Sequence, residues 1–103
     1  MNNTKPFRPA EAFHPGVYIR EELESRGWSQ SDFARIIDRP LQAVNEIING
    51  RKRVTAETAL AIGAAFGTGP EVWVNLQSAY DLQLAGDPDP AIAARARRFA
   101  KSA

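Results

Sequence analysis

The sequence has no cysteine, a single histidine and a single methionine. Without thiols there is neither a disulfide framework nor a thiolate metal site, so the chain must hold itself together by packing alone. The lone histidine, His14, stands in a Pro-Gly helix start, and no Gly-rich phosphate loop accompanies it. That leaves no pair of groups for acid–base or nucleophilic chemistry, and no catalytic residue, metal or cofactor is expected. There is no apolar run of spanning length and no signal segment, which predicts a cytoplasmic protein. Alternating strand patterns and internal repeats are also missing. Lysine and arginine are absent from residues 55 to 86, where Glu57, Glu71 and Asp81 stand unopposed, although the 103 residues together carry a net charge of +1. Nine cationic residues face seven acidic ones in residues 1–54, and four face two in residues 87–103. This segregation predicts one basic surface and a second that is not basic.

What is present is a succession of short amphipathic helices, enough for one domain with one core. Residues 1–13 carry two prolines and no period and read as an arm, residues 14–86 as the folded domain, and residues 87–103 as a basic tail. The first helix starts at Pro15, places Tyr18, Ile19 and Leu23 at helical spacing and stops at Gly27. Ser29 and Asp32 form a capping-box pattern for the second, with Trp28 and Phe33 in the staple positions and Phe33, Ala34 and Ile37 on the buried face. Pro40 cannot continue that helix, so a turn at Asp38-Arg39 separates it from a third helix that Pro40 begins. Val44, Ile47 and Ile48 share one face of the third helix and Gln42, Asn45, Glu46 and Asn49 the other, until Asn49-Gly50 stops it. A fourth helix from Thr55 carries Leu60, Ile62 and Phe66 to Gly67. A fifth from Pro70 carries Trp73, Leu76, Tyr80 and Leu84 to Gly86. An alanine-rich last helix holds Arg95, Arg97, Arg98 and Lys101.

Two short helices joined by a tight turn, within an all-α chain, are the layout of a helix-turn-helix. If the third helix enters the major groove of operator DNA, Gln42 and Asn45 offer amides that match N6 and N7 of adenine, and Glu46 can accept from cytosine N4. Gln30 opens the second helix and suits a phosphate oxygen. Arg51, Lys52 and Arg53 follow the helix directly, where the sugar-phosphate backbone would run, and would supply affinity without sequence information. Trp73, Leu76, Tyr80 and Leu84 on the fifth helix are the candidate contact with a second copy, since half-sites are presented to two-fold dimers. Trp73 serves equally well as core.

The segments "HPGVYIREEL", "WSQSDFARII", "VNEIINGRKRVTAETAL" and "FGTGPEVWVNLQSAYDLQLA" resemble the HigA-type, or VapI-like, antitoxins of the λ-repressor-like (Xre) helix-turn-helix family, from about His14 to Ala85. The resemblance implies a five-helix λ-repressor-like domain, here with an additional C-terminal helix. It also implies a homodimer that binds and represses its own operon and neutralises a HigB/RelE-like, ribosome-dependent mRNA endonuclease, in the bacterial cytoplasm and on the nucleoid when operator-bound. A stand-alone Xre-type regulator without a toxin is the alternative. The chain departs from the family pattern at Asp38-Arg39-Pro40 in the turn, at Ala61 and Ala64 where arginines are common, and at Leu41. The resemblance makes Arg39 and Leu41 part of the DNA-facing set, Leu41 as an apolar partner for a thymine methyl. A basic nuclease would prefer an acidic face, and Glu21, Glu22 and Glu24 on the first helix supply one.

Overall fold

Local chemistry decides where the helices begin. In the computed structural model, which describes residues 11–100, six helices follow one another: α1 (Pro15–Arg26), α2 (Gln30–Ile36), α3 (Leu41–Ile48), α4 (Ala56–Phe66), α5 (Glu71–Ala85) and α6 (Pro90–Phe99). The His14 side chain caps α1 by accepting from the Gly16 N–H, and Pro15 occupies the first turn. At α2 both halves of the capping box form: Ser29 Oγ accepts from the Asp32 N–H and Asp32 Oδ2 from the Ser29 N–H, each at 2.9 Å. Hydrogen bonding by Ser29, its backbone N–H first and its hydroxyl second, favours the ionised form and holds the Asp32 carboxyl below its ordinary pKa. Thr55 caps α4 and Asp89 caps α6. Pro40 and Pro70 lie one step outside the helices they were expected to begin. Pro40 has an extended ψ of 143°, which leaves Leu41 as the first helical residue of α3.

The α2–α3 turn closes in a Schellman arrangement, the Arg39 N–H reaching Ala34 O at 2.9 Å and the Asp38 N–H reaching Arg35 O at 3.2 Å. This motif requires a left-handed residue at its corner, a place where glycine is usual, and Asp38 fills it with φ 54°. Asp38→Gly is therefore expected to stabilise the protein by about 0.5–1 kcal/mol, measured as a rise in the urea midpoint at unchanged slope.

One core lies between α1 to α5, built from Ile19 and Leu23, Phe33 and Ala34, Val44, Ile47 and Ile48, Val54, Ala59, Ile62 and Phe66, and Trp73. Trp28 and Phe33 meet through α4: Phe66 stacks on Phe33 with centroids 5.0 Å apart and on Trp28 at 6.0 Å. Arg26 covers this cluster, its guanidinium 5.0 Å from the Phe66 ring and donating to Phe66 O at 3.0 Å. The stripe that α4 buries is Ala59, Ile62, Gly63 and Phe66; Leu60 falls off it and is 61 % exposed, contrary to the reading that grouped it with Ile62 and Phe66. A second correction concerns Trp73. It is 3 % exposed, tilted against Phe66, with its indole N–H donated to Thr68 Oγ1 at 2.8 Å, so it belongs to the core and has no surface to give a second chain.

The helices cross closely at one point. A Cβ on Gly16 would lie 2.4 Å from Ile48 O and 2.5 Å from Ile47 O, so the start of α1 rests directly on the end of α3. α6 buries no residue. Arg95, Arg97 and Arg98 are exposed on it, while Lys101 and residues 1–10 of the arm lie outside the described residues. Ala12 is held by Gln83 of α5, which accepts from its N–H at 2.7 Å and donates to its carbonyl at 2.9 Å. Among the described residues no helix is long and apolar enough to cross a membrane.

Candidate nucleic-acid interface

Because α3 buries Val44, Ile47 and Ile48, its opposite face must point outward, and it carries Gln42, Asn45, Glu46 and Asn49. Gln42 is exposed and Leu41, at the start of the helix, is 48 % exposed. Asn45 and Glu46 are half-buried because neighbours hold them. Asn45 Nδ2 donates to Oε1 of Gln30, the first residue of α2, at 3.1 Å, which ties the two helices of the pair together through their polar edges. Glu46 lies 3.5 Å from the Lys52 ammonium. The carboxylate proposed for cytosine is thus committed to the loop that follows its own helix, and reading a base with it would require Lys52 to move to a phosphate.

The loop after α3 is fastened from both sides. Gly50 supplies the left-handed corner at φ 76°, and the Arg51 and Lys52 N–H groups both return to Glu46 O. His14 Nδ1 accepts from the Gly16 N–H at 2.9 Å while Nε2 faces Lys52 O at 2.9 Å. A backbone N–H can only donate and a carbonyl can only accept, so the ring is the neutral tautomer protonated at Nε2. The single histidine is a cap and also a strut from α1 to the basic loop, with Tyr80 of α5 edge-on against it at 5.3 Å. From the other side, Gln77 Oε1 accepts from the Val54 N–H at 2.6 Å and its Nε2 donates to Asp81 Oδ1 at 2.9 Å; Asp81 Oδ2 in turn pairs with Arg53. The Gln77 and Arg53 hydrogen bonds, in that order, lower the Asp81 pKa.

These contacts divide the three cations. Lys52 is paired with Glu46, Arg53 with Asp81, and Arg51 has no acidic partner among the described residues. Arg39, in the turn, lies 3.7 Å from Glu57 at the start of α4, a pair with the glutamate 80 % exposed and of little energetic weight. The described residues thus bring Gln30, Leu41, Gln42, Asn45, Glu46, Arg51, Lys52 and Arg53 around one helix, and set Arg39 at the corner of the turn. The acidic trio does not gather in the same way: Glu21 and Glu24 are exposed on α1, whereas Glu22 holds Arg26 at 3.0 Å. On α5, Leu76 packs on the core, Tyr80 is half-buried against His14, and Leu84 is 67 % exposed. The sequence alone does not single out Gln77 or Arg20, and it shows Asp81 only as one acid of the stretch without lysine or arginine. The spacing of Gln77 and Asp81, four apart on one helix face, was the available signal; nothing local pointed from them to residues 53 and 54.

The helix pair, its outward amides and the clamped basic loop define a helix-turn-helix domain, and the sequence profile of the Helix-turn-helix family matches residues 19–73. The chain belongs to that family, in its Xre-like, λ-repressor-like branch, which comprises DNA-binding antitoxins and regulators and not enzymes. It is 39 % identical over 75 residues to virulence-associated protein I of Dichelobacter nodosus, covering 72 % of this chain and 69 % of that one. Among solved structures it is similar to an addiction module antidote protein of the HigA family from Coxiella burnetii, 34 % identical with a TM-score of 0.68, covering 88 % of this chain and 97 % of that one. It is also similar to the Pseudomonas aeruginosa antitoxin HigA, solved with the higBA promoter, 30 % identical with a TM-score of 0.69, covering 86 % and 91 %.

Proposed function

We propose that this protein is the antitoxin of a toxin–antitoxin module: a homodimer that binds its operator through α3 and the following loop, represses transcription, and neutralises a HigB/RelE-like endonuclease. The observation that carries the DNA half is the outward Gln42 on a helix whose flanking polar groups are each held by a neighbour, with a fastened cationic loop at its end. Gln42 reads a base, with Leu41 against a thymine methyl beside it. Gln30, Arg39, Arg51, Lys52 and Arg53 face phosphates, the last two by exchanging Glu46 and Asp81 for the DNA backbone. The toxin half is supported by the likeness to HigA-family antitoxins. The exposed acids of α1 are the surface offered to a basic nuclease, and the outer side of α5, with Leu84, the surface offered to a second copy.

The two halves are tested separately. Gln42→Ala is expected to cost about 1–3 kcal/mol on the operator and little on random duplex, whereas Arg51→Ala weakens both alike and makes the salt slope shallower by about one. Equal losses on both duplexes from Gln42→Ala would take α3 off the bases. For the toxin, the tagged protein is purified from its host and the captured protein identified. A basic endonuclease encoded next to this chain establishes the antitoxin, and capture of operator DNA alone establishes a stand-alone Xre-type regulator.

A further inference from the structure

The amides on the outward face of α3 belong to one hydrogen-bonded ladder that crosses three helices. Arg20 Nη2 of α1 donates to Asn49 Oδ1 at 3.0 Å, Asn49 Nδ2 donates to Asn45 Oδ1 at 3.1 Å, and Asn45 Nδ2 donates to Gln30 Oε1 at 3.1 Å. A row of carboxamides can run in either direction, because each has a donor end and an acceptor end of nearly the same shape. Arg20 removes that freedom. A guanidinium has five N–H donors and no acceptor, so Asn49 must turn its oxygen to Arg20 and its NH2 to Asn45. Asn45 must then turn its NH2 to Gln30, and Gln30 must receive it on oxygen. The open end of the ladder is the Gln30 NH2, which has no partner among the described residues and lies at the first position of α2.

That polarity matters for an anionic ligand. Phosphate oxygens only accept, so an outward NH2 binds one, whereas an outward amide oxygen at the same place repels it. We propose that Arg20 is a positioning residue for DNA binding: it fixes the direction of the Asn49–Asn45–Gln30 ladder and thereby presents Gln30 to the DNA backbone as a donor. The proposal rests on the DNA-reading role given to α2 and α3 above. Arg20 is suited to it because no carboxylate claims it among the described residues, whereas Arg26, Arg39, Lys52 and Arg53 are each paired with an acid. Nor does the ladder exhaust Asn45, whose second N–H and second lone pair remain for a base edge.

The test is a double-mutant cycle on operator affinity, read by fluorescence anisotropy, with folding checked by circular dichroism. Arg20→Met is expected to weaken operator binding roughly tenfold in the wild-type background and less than about threefold when Gln30 is already alanine, the coupling typical of groups in one network. The charge lost with Arg20 acts in both backgrounds and cancels in the cycle. Equal losses in the two backgrounds would overturn the proposal, since Arg20 would then act on phosphate by itself, and so would no loss in either. Arg20→Gln keeps a hydrogen-bonding side chain but restores the choice of direction. It is expected to show the same coupling to Gln30, and wild-type binding by it would also overturn the proposal. Gln42→Ala, measured beside these variants, reports on the reading face itself: equal losses on operator and random duplex would discard the DNA-reading role and not only that of Arg20.

Discussion

Trp73→Ala is expected to destabilise the fold by about 3–5 kcal/mol, a large share of the roughly 5–15 kcal/mol typical of a domain, and to lower the urea midpoint followed by circular dichroism. The indole is 3 % exposed, packs on Phe66 at 5.6 Å and donates its N–H to Thr68, so its removal leaves a cavity beneath the aromatic cluster, while the exposed Thr68 hydroxyl keeps its bond to Gly69 O and adds little to the cost. A surface contact behaves differently. Leu84 is 67 % exposed at the end of the same helix, and Leu84→Ser is expected to leave the unfolding free energy within about 0.5 kcal/mol of wild type while lowering self-association in sedimentation. A folded Trp73→Ala monomer with wild-type stability would return that residue to the interface and take it out of the core.

Gly16→Ala is expected to cost about 3 kcal/mol or more, although it adds only one methyl group to a helix. Helix propensity favours the change by up to ~1 kcal/mol, so the sign is decided by space. The new Cβ would sit 2.4 and 2.5 Å from the carbonyl oxygens of Ile48 and Ile47, and these are backbone atoms of α3 that cannot rotate away. α1 must therefore lift from α3. Because the Gly16 N–H is also the donor that orients His14, and His14 holds Lys52 O, the basic loop loses one of its two fastenings at the same time. The folded fraction of Gly16→Ala should accordingly bind DNA more weakly than its stability alone accounts for, which operator titration at a temperature well below its melting point would reveal. At Gly50 the cost has another origin: a Cβ there would meet His14 at an ordinary 3.7 Å, but φ 76° strains any other residue by about 1–2 kcal/mol.

The contrast between Gly16 and Gly50 also separates what local sequence can carry from what it cannot. Gly50 is legible, because Asn-Gly after an apolar stripe marks a helix stop wherever it occurs. The same holds for Ser29 and Asp32, whose capping box closes within four residues, and for Val44, Ile47 and Ile48, whose spacing alone puts Gln42 on the outside. These features need no knowledge of where any other helix lies, and together they determine six helices, the helix pair and an outward polar face ending in cations. Leu60 and Trp73 were not legible in this way. Both are apolar residues at helical spacing, and only the docking of α4 on α5 decides that one is 61 % exposed and the other 3 %. Nor could spacing show that Arg53 is paired with Asp81, that Gln77 holds the Val54 N–H, or that Arg20 reaches Asn49, since these partners stand 28, 23 and 29 residues apart. Sequence by itself determines about where each helix starts and stops and which residues share one of its faces, because both depend on contacts within a few residues. Which cations are left for DNA and which way its amides point were decided only when the crossing of α1 over α3, and of α5 behind the loop, brought distant donors and acceptors within 3 Å of each other.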